Sequence, residues 1–315
     1  MKVLIPEKFS NEGVKVLEEA GIEVTFKPDT TPEQLLEMIP DYEGLIVRSA
    51  TTVTREVIEA GAKLKIIGRA GVGVDNIDRE AATECGVIVC NAPTSNVVSA
   101  AEQTMALMLA VARNTARADK SMKDGKWDRG KFSGVELYGK TLGIFGTGHV
   151  GLLVAERASA FGMNLVGYDP YCPAERAAEY GITPYDDVLE VCKRSNVITL
   201  HMPKTPETTN MIGAEQLAAM PEGAIVLNVA RGGLIDLDAL AEAIKSGHIR
   251  GAGVDVWEHE PVSDSPLHGL DNVVLTPHLG ASTKEAQTRA ATQIAQYVID
   301  GLEGKPVTTA VNKVK

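Results

Sequence analysis

Three charged side chains late in the chain have the types that acid–base chemistry at a carbonyl group needs. Each stands at or beyond the end of one of the last three predicted strands, and they are Arg231, Glu260 and His278. A histidine exchanges a proton near neutrality because its unperturbed pKa is about 6.5, and a nearby carboxylate favours its charged form. An arginine keeps its charge and polarises a carbonyl or grips a carboxylate. Three unrelated loop residues are the alternative.

A turn with three spaced glycines joins a short apolar strand, predicted over 142–145, to a helix whose apolar residues recur from 152 to 161. Gly146 permits the tight turn, Gly148 lets the backbone approach a phosphate, and Gly151 allows the helix to pack closely on its strand. The turn therefore predicts a site for the pyrophosphate of a dinucleotide, at the positive end of the helix.

The next predicted strand ends in an acidic residue that selects between dinucleotides. Asp169 lies 18 residues beyond Gly151, where a carboxylate accepts hydrogen bonds from the ribose hydroxyls. A carboxylate there repels a 2′-phosphate, and no Arg or Lys follows before Arg176, so NAD is expected rather than NADP. Hydride transfer between a nicotinamide and a ketone changes the charge on the oxygen, which matches the three charged side chains.

Two α/β units, in each of which predicted strands alternate with predicted helices, position these residues. The first runs from residue 1 to about 94, and the second contains six predicted strands from 142–145 to 272–275, the number in a complete dinucleotide-binding sheet. Residues 95–117 predict one long helix, followed by an extended arm. The last helix is expected to return to the first unit. The predicted domains are therefore 1–94 with 282–315, and 95–281, in an α/β fold of two doubly wound parallel sheets.

Two arginines in the first α/β unit also follow predicted strands. Arg48 comes after the apolar run 44–47, and Arg69 comes after 64–68. Ligands of open parallel sheets bind beyond the carboxyl ends of the strands, so both are placed to meet an anion. The turn 70–73 can point backbone N–H groups at a carboxylate. Ordinary surface arginines are the alternative.

Composition excludes several other classes of function. The 31 basic and 42 acidic residues give a net charge of −11, which argues against general binding to nucleic acid or to an anionic membrane. The N-terminus lacks the pattern of a signal peptide, and a cytoplasmic protein is expected. The four cysteines show no C-x-x-C spacing, and no ligand pairs recur, so neither disulfides nor a metal site is predicted.

Several motifs together resemble the D-isomer-specific 2-hydroxyacid dehydrogenases, and within them the members that oxidise 3-phospho-D-glycerate to 3-phosphohydroxypyruvate in serine biosynthesis. They are GLIVRSAT at 44–51, GRAGVGVDNID at 68–78, the glycine turn, ARGG at 230–233, EP at 260–261 and PHLGAST at 277–283. The resemblance covers nearly the whole chain. It implies a flavodoxin-like substrate domain, a Rossmann NAD domain, an active site in the cleft between them, and a homodimer formed through the NAD domain.

The resemblance also implies roles for individual residues. Arg231, Glu260 and His278 are expected to be catalytic, with Asp255 at the nicotinamide carboxamide. Cofactor contacts are expected at Gly146, Gly148, His149, Val150, Gly151, Asp169, Met202, Val229, Ala230, Asp255, Gly280 and Ala281. Substrate contacts are expected at Arg48, Ser49, Arg69, Gly71 and Val72, while Arg129 or Lys131 reach a substrate phosphate in the partner subunit.

The chain departs from the family in two ways. Val72 and Met202 stand where threonines are common, so only backbone or packing contacts with the ligands are expected there. Many relatives continue beyond the position of Lys315 into a regulatory domain that binds serine, so feedback inhibition through such a domain is not expected. Reduction of hydroxypyruvate or glyoxylate is the nearest alternative, and an NADH-sensing corepressor without catalytic activity is a more remote one.

Overall fold

The computed structural model describes residues 1–314, and the chain divides into two compact units. Unit 1 comprises Met1–Asn96 with Ala281–Lys315, and unit 2 comprises Val97–Gly280. The boundaries expected from the sequence differ from these by two residues at one junction and one residue at the other. Each unit is built on a sheet whose strand pairs are all parallel. The predicted fold class is therefore confirmed.

Unit 1 carries five strands in the order β2-β1-β3-β4-β5. The strands are β1 Lys2–Ile5, β2 Glu23–Phe26, β3 Gly44–Val47, β4 Ile66–Arg69 and β5 Ile88–Asn91. The helices are α1 Asn11–Glu19, α2 Pro32–Met38, α3 Arg55–Ala60, α4 Arg79–Glu84 and the last helix, α12 Lys284–Leu302. One buried cluster lies between the sheet and α1 with α12, and a second lies between the sheet and α2, α3 and α4. The sheet is thus covered on both faces, which explains why its strands are continuous apolar runs.

Close approach of α12 to this sheet depends on a glycine. A Cβ atom at Gly68 would lie 2.7 Å from the side chain of Val298 and 2.8 Å from that of Ile294. At the other end of the helix, the Thr283 hydroxyl caps α12 by accepting a hydrogen bond from the backbone of Ala286. The apolar face of α12 therefore completes the core of unit 1 although this helix follows unit 2 in sequence.

Unit 2 carries seven strands in the order β12-β11-β10-β9-β6-β7-β8. The strands are β6 Thr141–Phe145, β7 Asn164–Tyr168, β8 Ile182–Pro184, β9 Val197–Leu200, β10 Ala224–Asn228, β11 Ile249–Val254 and β12 Val273–Leu275. The helices are α5 Val97–Ala112, α6 Thr115–Lys123, α7 His149–Ala160, α8 Ala174–Glu179, α9 Val188–Arg194, α10 Ala214–Ala219 and α11 Leu237–Lys245. The strand order reverses between β6 and β9, which is where open sheets of this kind bind ligands.

Two details of unit 2 differ from the sequence-based prediction. The sheet has a seventh strand, β8, which was missed because it has three residues of which only Ile182 is buried. The long helix predicted over 95–117 is broken at Asn114, whose left-handed φ of 53° separates α5 from α6. Asparagine adopts this conformation more readily than most residues. The predicted arm follows α6, and it includes a short 3-10 turn at Arg129–Phe132.

The four free cysteines fall into a buried pair and a more exposed pair. Burial raises the pKa of the Cys90 thiol and of the Cys192 thiol to about 12, whereas Cys85 is exposed and Cys172 is half-buried. At pH 8 the buried thiols are protonated and therefore unreactive. We expect a thiol-specific chromogenic reagent to label two cysteines of the native protein, and four after denaturation. Rapid labelling of all four in the native state would contradict the burial of Cys90 and Cys192.

Candidate active site

The three charged residues expected to be catalytic follow three neighbouring strands of unit 2. Arg231 follows β10, Glu260 follows β11 and His278 follows β12. Because parallel strands end at the same edge of a sheet, these loops all leave from one edge. That edge also carries the glycine turn after β6 and Asp169 after β7. The sheet thus places the catalytic and cofactor candidates of unit 2 on one side.

A direct hydrogen bond joins His278 and Glu260. The Nδ1 atom of His278 lies 2.7 Å from Oε2 of Glu260, and the side chains are 44% and 36% exposed. The other oxygen, Oε1, accepts a hydrogen bond of 3.0 Å from the backbone N–H of Trp257, which fixes the carboxylate. An ionised carboxylate only accepts hydrogen bonds, so Nδ1 donates to it and Nε2 remains to exchange a proton with a ligand.

The backbone of His278 adopts a conformation that is uncommon for a residue with a side chain. Its φ is +54°, in the left-handed region, which costs about 1 to 3 kcal/mol and persists only where the surroundings enforce it. The enforcement comes from Asp255, whose carbonyl oxygen accepts a hydrogen bond of 2.8 Å from the N–H of His278. Strain of this kind concentrates at functional sites, so it supports a role for His278 beyond packing.

The Asp255 side chain clamps the same loop. It is fully buried, and its carboxylate accepts hydrogen bonds from the N–H groups of Leu279 and Gly280, at 2.7 and 2.8 Å, and from the hydroxyl of Thr276. These three donors compensate for burying the charge. The contact between Asp255 and a nicotinamide carboxamide stays a prediction. The contacts with the His278 loop are a positioning role that the sequence did not indicate.

The loop that carries Arg231 is packed against the loop that carries Glu260. The Asn228 side chain accepts from the N–H of Ala230 at 3.0 Å and donates to the carbonyl of Arg231 at 2.8 Å, which fixes the turn. A Cβ atom at Gly232 would lie 2.0 Å from the carbonyl carbon of Trp257. Only glycine allows this approach, so the two loops are held in contact by their backbones.

The glycine turn after β6 has the geometry that a dinucleotide phosphate requires. Gly146 has a φ of +94°, and a Cβ atom at Gly151 would lie 2.1 Å from the carbonyl oxygen of Gly146, so helix α7 starts directly against the strand. A Cβ atom at Gly148 would meet nothing within 4 Å. No side chain caps α7, which leaves its first N–H groups and open space for an anion. The residues present therefore fit the pyrophosphate of NAD.

The side chain of Asp169 is fixed by four hydrogen bonds. Its Oδ2 atom accepts from the N–H of Thr147 at 2.8 Å and from the Thr147 hydroxyl. Its Oδ1 atom accepts from the N–H groups of Tyr171 and Cys172, at 2.9 and 3.2 Å. A ribose hydroxyl must share these acceptor positions, since a carboxylate offers about four. Thr147, which is buried, was not identified from the sequence.

The other cofactor candidates of unit 2 lie along the same edge. His149 is exposed and Val150 half-buried in the first turn of α7, while Met202, Val229 and Gly280 are buried and Ala230 is half-buried. The residue before Met202 is His201, and burial lowers the pKa of its ring to about 3. This ring is therefore neutral at physiological pH. Its Nε2 atom lies 2.9 Å from the Thr199 hydroxyl. Ala281 belongs to unit 1.

Arg48 and Arg69 come from neighbouring strands of unit 1. Val47, at the end of β3, pairs with Arg69, at the end of β4, so Arg48 lies one residue farther along the same edge. A Cβ atom at Gly71 would lie 1.6 Å from the Nη1 atom of Arg69, which makes glycine necessary for the arginine to occupy its position. Ser49 is exposed, and Val72 is half-buried with its carbonyl accepting from the Asn91 side chain.

A buried acid that the sequence did not indicate holds the loop after Arg48. Glu7 is 8% exposed, and its carboxylate accepts from the backbone N–H groups of Arg48, Ala50 and Thr51, at 2.7, 3.2 and 3.1 Å. The signal that could have found it is an acidic residue one position beyond the residue that follows an apolar strand. Its oxygens fix the backbone on which the Arg48 side chain stands.

Replacing Glu7 with glutamine is expected to destabilise the protein by about 1 to 3 kcal/mol, because an amide N–H₂ then faces backbone donors. The urea midpoint of unfolding measures this change. Glu18, which is exposed on α1, provides the matched control, since Glu18→Gln should shift the free energy of unfolding by less than about 0.5 kcal/mol. Equal effects of the two substitutions would show that Glu7 does not hold the loop.

Arg129 and Lys131 are exposed in the 3-10 turn of unit 2, and Lys131 forms a salt bridge of 3.0 Å with Asp128. Their contact with a substrate in a partner subunit stays a prediction.

Within residues 1–314, no group of three or more His, Cys, Asp or Glu side chains is placed to hold a metal ion. None of the helices in that part of the chain combines the length and apolar character needed to cross a membrane.

Comparison with known proteins bears on this site. Residues 105–280 match the family described as D-isomer specific 2-hydroxyacid dehydrogenase, NAD binding domain. D-3-phosphoglycerate dehydrogenases from Methanocaldococcus jannaschii and Archaeoglobus fulgidus are 54% and 50% identical over 99% of this chain, which covers 59% of each relative. The chain thus spans about three fifths of the length of these relatives. The crystal structure of the TT0316 protein from Thermus thermophilus is similar with a TM-score of 0.89 and 36% identity, over 99% of this chain and 100% of that one.

Proposed function

Because the chain belongs to the D-isomer specific 2-hydroxyacid dehydrogenases, we propose that it catalyses the NAD-dependent oxidation of 3-phospho-D-glycerate to 3-phosphohydroxypyruvate. The observation that carries the proposal is the hydrogen bond between His278 and Glu260, at 2.7 Å, on the edge that also carries the glycine turn. The choice of substrate is supported by two relatives, 54% and 50% identical, that are D-3-phosphoglycerate dehydrogenases. The reaction is a step of serine biosynthesis.

The proposed chemistry assigns one task to each of three side chains. The Nε2 atom of His278 takes the proton of the substrate 2-hydroxyl and returns it in the reverse direction. Glu260 stabilises the imidazolium that forms, because its carboxylate accepts from Nδ1. Arg231 holds a fixed positive charge toward the substrate carboxylate and the developing carbonyl. NAD, when bound, supplies the acceptor for the hydride that leaves C2.

Unit 2 would hold the cofactor and unit 1 the substrate. The glycine turn and the first N–H groups of α7 would take the pyrophosphate, and Asp169 the adenosine ribose. Arg48 and Arg69 would meet the anionic ends of the substrate. We further propose a cytoplasmic homodimer that associates through unit 2, with Arg129 or Lys131 reaching the substrate phosphate in the partner subunit.

A substrate panel tests the proposal. The values of kcat/KM would be measured with NAD for 3-phospho-D-glycerate, D-glycerate and D-lactate, and with NADH for hydroxypyruvate and glyoxylate. We expect 3-phospho-D-glycerate to exceed D-glycerate by a factor on the order of 10² or more, because a site whose cations pair with a phosphate discriminates strongly against a ligand that lacks that charge. Equal kcat/KM values for 3-phospho-D-glycerate and D-glycerate would contradict the assignment of the substrate. Turnover of glyoxylate or hydroxypyruvate alone would identify a reductase, and NADH binding with no turnover would identify a sensor.

A further inference from the structure

A small pocket in unit 1 adjoins Arg48, which the proposed function places against the substrate. Its volume is about 160 Å³, which is well above the roughly 10 to 15 Å³ that one water molecule needs. The first turns of α1 and α12 flank it, and the loops that follow β1, β3 and β4 supply the rest of its wall. The lining residues that matter are Lys8, Ser10, Glu12, Arg48, Ala70 and Lys284.

The pocket concentrates positive charge. Lys8, Arg48 and Lys284 line it from three separate elements, against one carboxylate, that of Glu12. The hydroxyl of Ser10 donates to that carboxylate, and this hydrogen bond lowers the Glu12 pKa, so Glu12 is ionised near neutrality. The balance is three positive charges against one negative charge, in a chain whose net charge is −11.

Within residues 1–314, none of the three cations forms a salt bridge, whereas many other exposed lysines and arginines do. The Nη1 atom of Arg48 instead donates to the carbonyl oxygen of Lys8 at 3.2 Å, which ties the guanidinium to the loop that carries the lysine. The Glu12 carboxylate, which also interacts with the Lys284 ammonium group, offsets only one of the three positive charges, and the remaining like charges repel one another. An anionic ligand would remove that cost.

The topology of the sheet points to the same place independently. In the order β2-β1-β3-β4-β5, strand β2 is added on one side of β1 and the later strands on the other, so the order reverses between β1 and β3. Lys8 follows β1 and Arg48 follows β3, so the two residues stand on either side of this switch point. In open parallel sheets, including those with the 2-1-3-4-5 order, ligands bind in the crevice that such a reversal opens at the carboxyl ends of the strands.

We propose that this pocket binds the dianionic phosphate of a phosphomonoester, with Lys8 and Lys284 as charged donors and Arg48 as the planar fork. A phosphate offers three terminal oxygens to three cationic groups, whereas a carboxylate offers only two. The N-terminal ends of α1 and α12 add a favourable field of the same sign. Neither lysine was singled out by the sequence, where both are ordinary surface residues.

The identity of the phosphomonoester as the substrate rests on the proposed function, whereas the oxyanion chemistry of the pocket does not. Inorganic phosphate from solution carries the same chemistry. Binding of inorganic phosphate to the full chain without cofactor, measured by isothermal titration calorimetry, therefore tests the pocket directly. The variants are Lys8→Gln, Lys284→Gln and the double substitution, and thermal melting of each variant verifies that it is folded.

Each lysine substitution should raise the Kd for inorganic phosphate about tenfold, because a charged hydrogen bond is lost while side-chain size is kept. Lys65 precedes β4 at the opposite edge of the same sheet and is exposed, so Lys65→Gln makes the same change of net charge away from the pocket. Its Kd should equal that of the original chain. If the single variants bind phosphate as the original chain does, or if Lys65→Gln weakens binding as much, the pocket is not the site.

Steady-state kinetics then separates the two sources of phosphate. If inorganic phosphate competes with 3-phospho-D-glycerate, and both lysine variants raise KM for that substrate about tenfold with kcat retained, the pocket holds the substrate phosphate, and the contact proposed for Arg129 or Lys131 of the partner subunit only adds to it. Non-competitive inhibition that the variants abolish assigns the pocket to a free anion and overturns the substrate assignment. A chain that does not turn over 3-phospho-D-glycerate, yet loses phosphate affinity with Lys8→Gln and Lys284→Gln, refutes the proposed function and leaves the pocket established.

Discussion

Replacing His278 with alanine should lower kcat by a factor on the order of 10² to 10⁴, the contribution that a positioned general acid–base typically makes. The Nε2 atom is the only proton-exchanging group that the proposed reaction assigns to this edge of unit 2, and Glu260 holds the ring through Nδ1. Binding of NADH, followed by its fluorescence, should persist because the glycine turn and Asp169 are unchanged. The two measurements together separate loss of chemistry from loss of the cofactor.

The matched control is His268→Ala. His268 is exposed in unit 2, and its ring lies 6.2 Å from that of Trp257. It takes no part in the proposed reaction, so kcat should stay within about twofold of the original value, which corresponds to less than about 0.5 kcal/mol. Near-normal turnover by the His278 variant would contradict the assignment of His278 as the acid–base group.

Replacing Arg231 with glutamine should lower kcat by a factor on the order of 10² to 10³, as expected when a preorganised charge is removed from a developing oxyanion. Arg231→Lys should recover only part of this loss, since an ammonium group is a point charge and cannot reproduce a planar fork. The packing of the loop should survive, because Asn228 and Gly232 hold it through backbone atoms. The measurement is kcat and KM at saturating NAD.

Arg194→Gln provides the comparison for this prediction. Arg194 is exposed on α9, where it forms a salt bridge of 3.1 Å with Glu190, and removing an exposed pair costs little. Its kcat should be unchanged. If Arg231→Gln raises KM alone and leaves kcat intact, the guanidinium contributes uniform binding of the substrate and no specific stabilisation of the transition state.

The identity and order of the elements were largely readable from the sequence. Apolar runs such as 44–47 and 224–228 are buried on both sides, so their composition alone predicts strands of a parallel sheet. The errors arose where local pattern is weak. β8 has one buried residue, and the break at Asn114 depends on a single left-handed residue within an otherwise helical run.

The sequence by itself determined the fold class and the residue types available for chemistry. The spacing of Gly146, Gly148 and Gly151 constrains the backbone within one turn, and the residues that follow buried strands must appear at the carboxyl edge of a parallel sheet. Such local and topological rules act over short stretches, so they can be read before any packing is known.

Only the tertiary structure decided which side chains hold the others in place. Asp255 fixes the strained backbone of His278, Glu7 fixes the loop of Arg48, and Gly232 brings two loops into contact. The pocket of Lys8 and Lys284 joins residues that are separated by most of the chain. The pattern of apolar and polar residues does not predict these contacts, because the distances between elements are set only when helices and strands pack. The energy of a buried carboxylate likewise depends on the hydrogen-bond donors that packing brings to it.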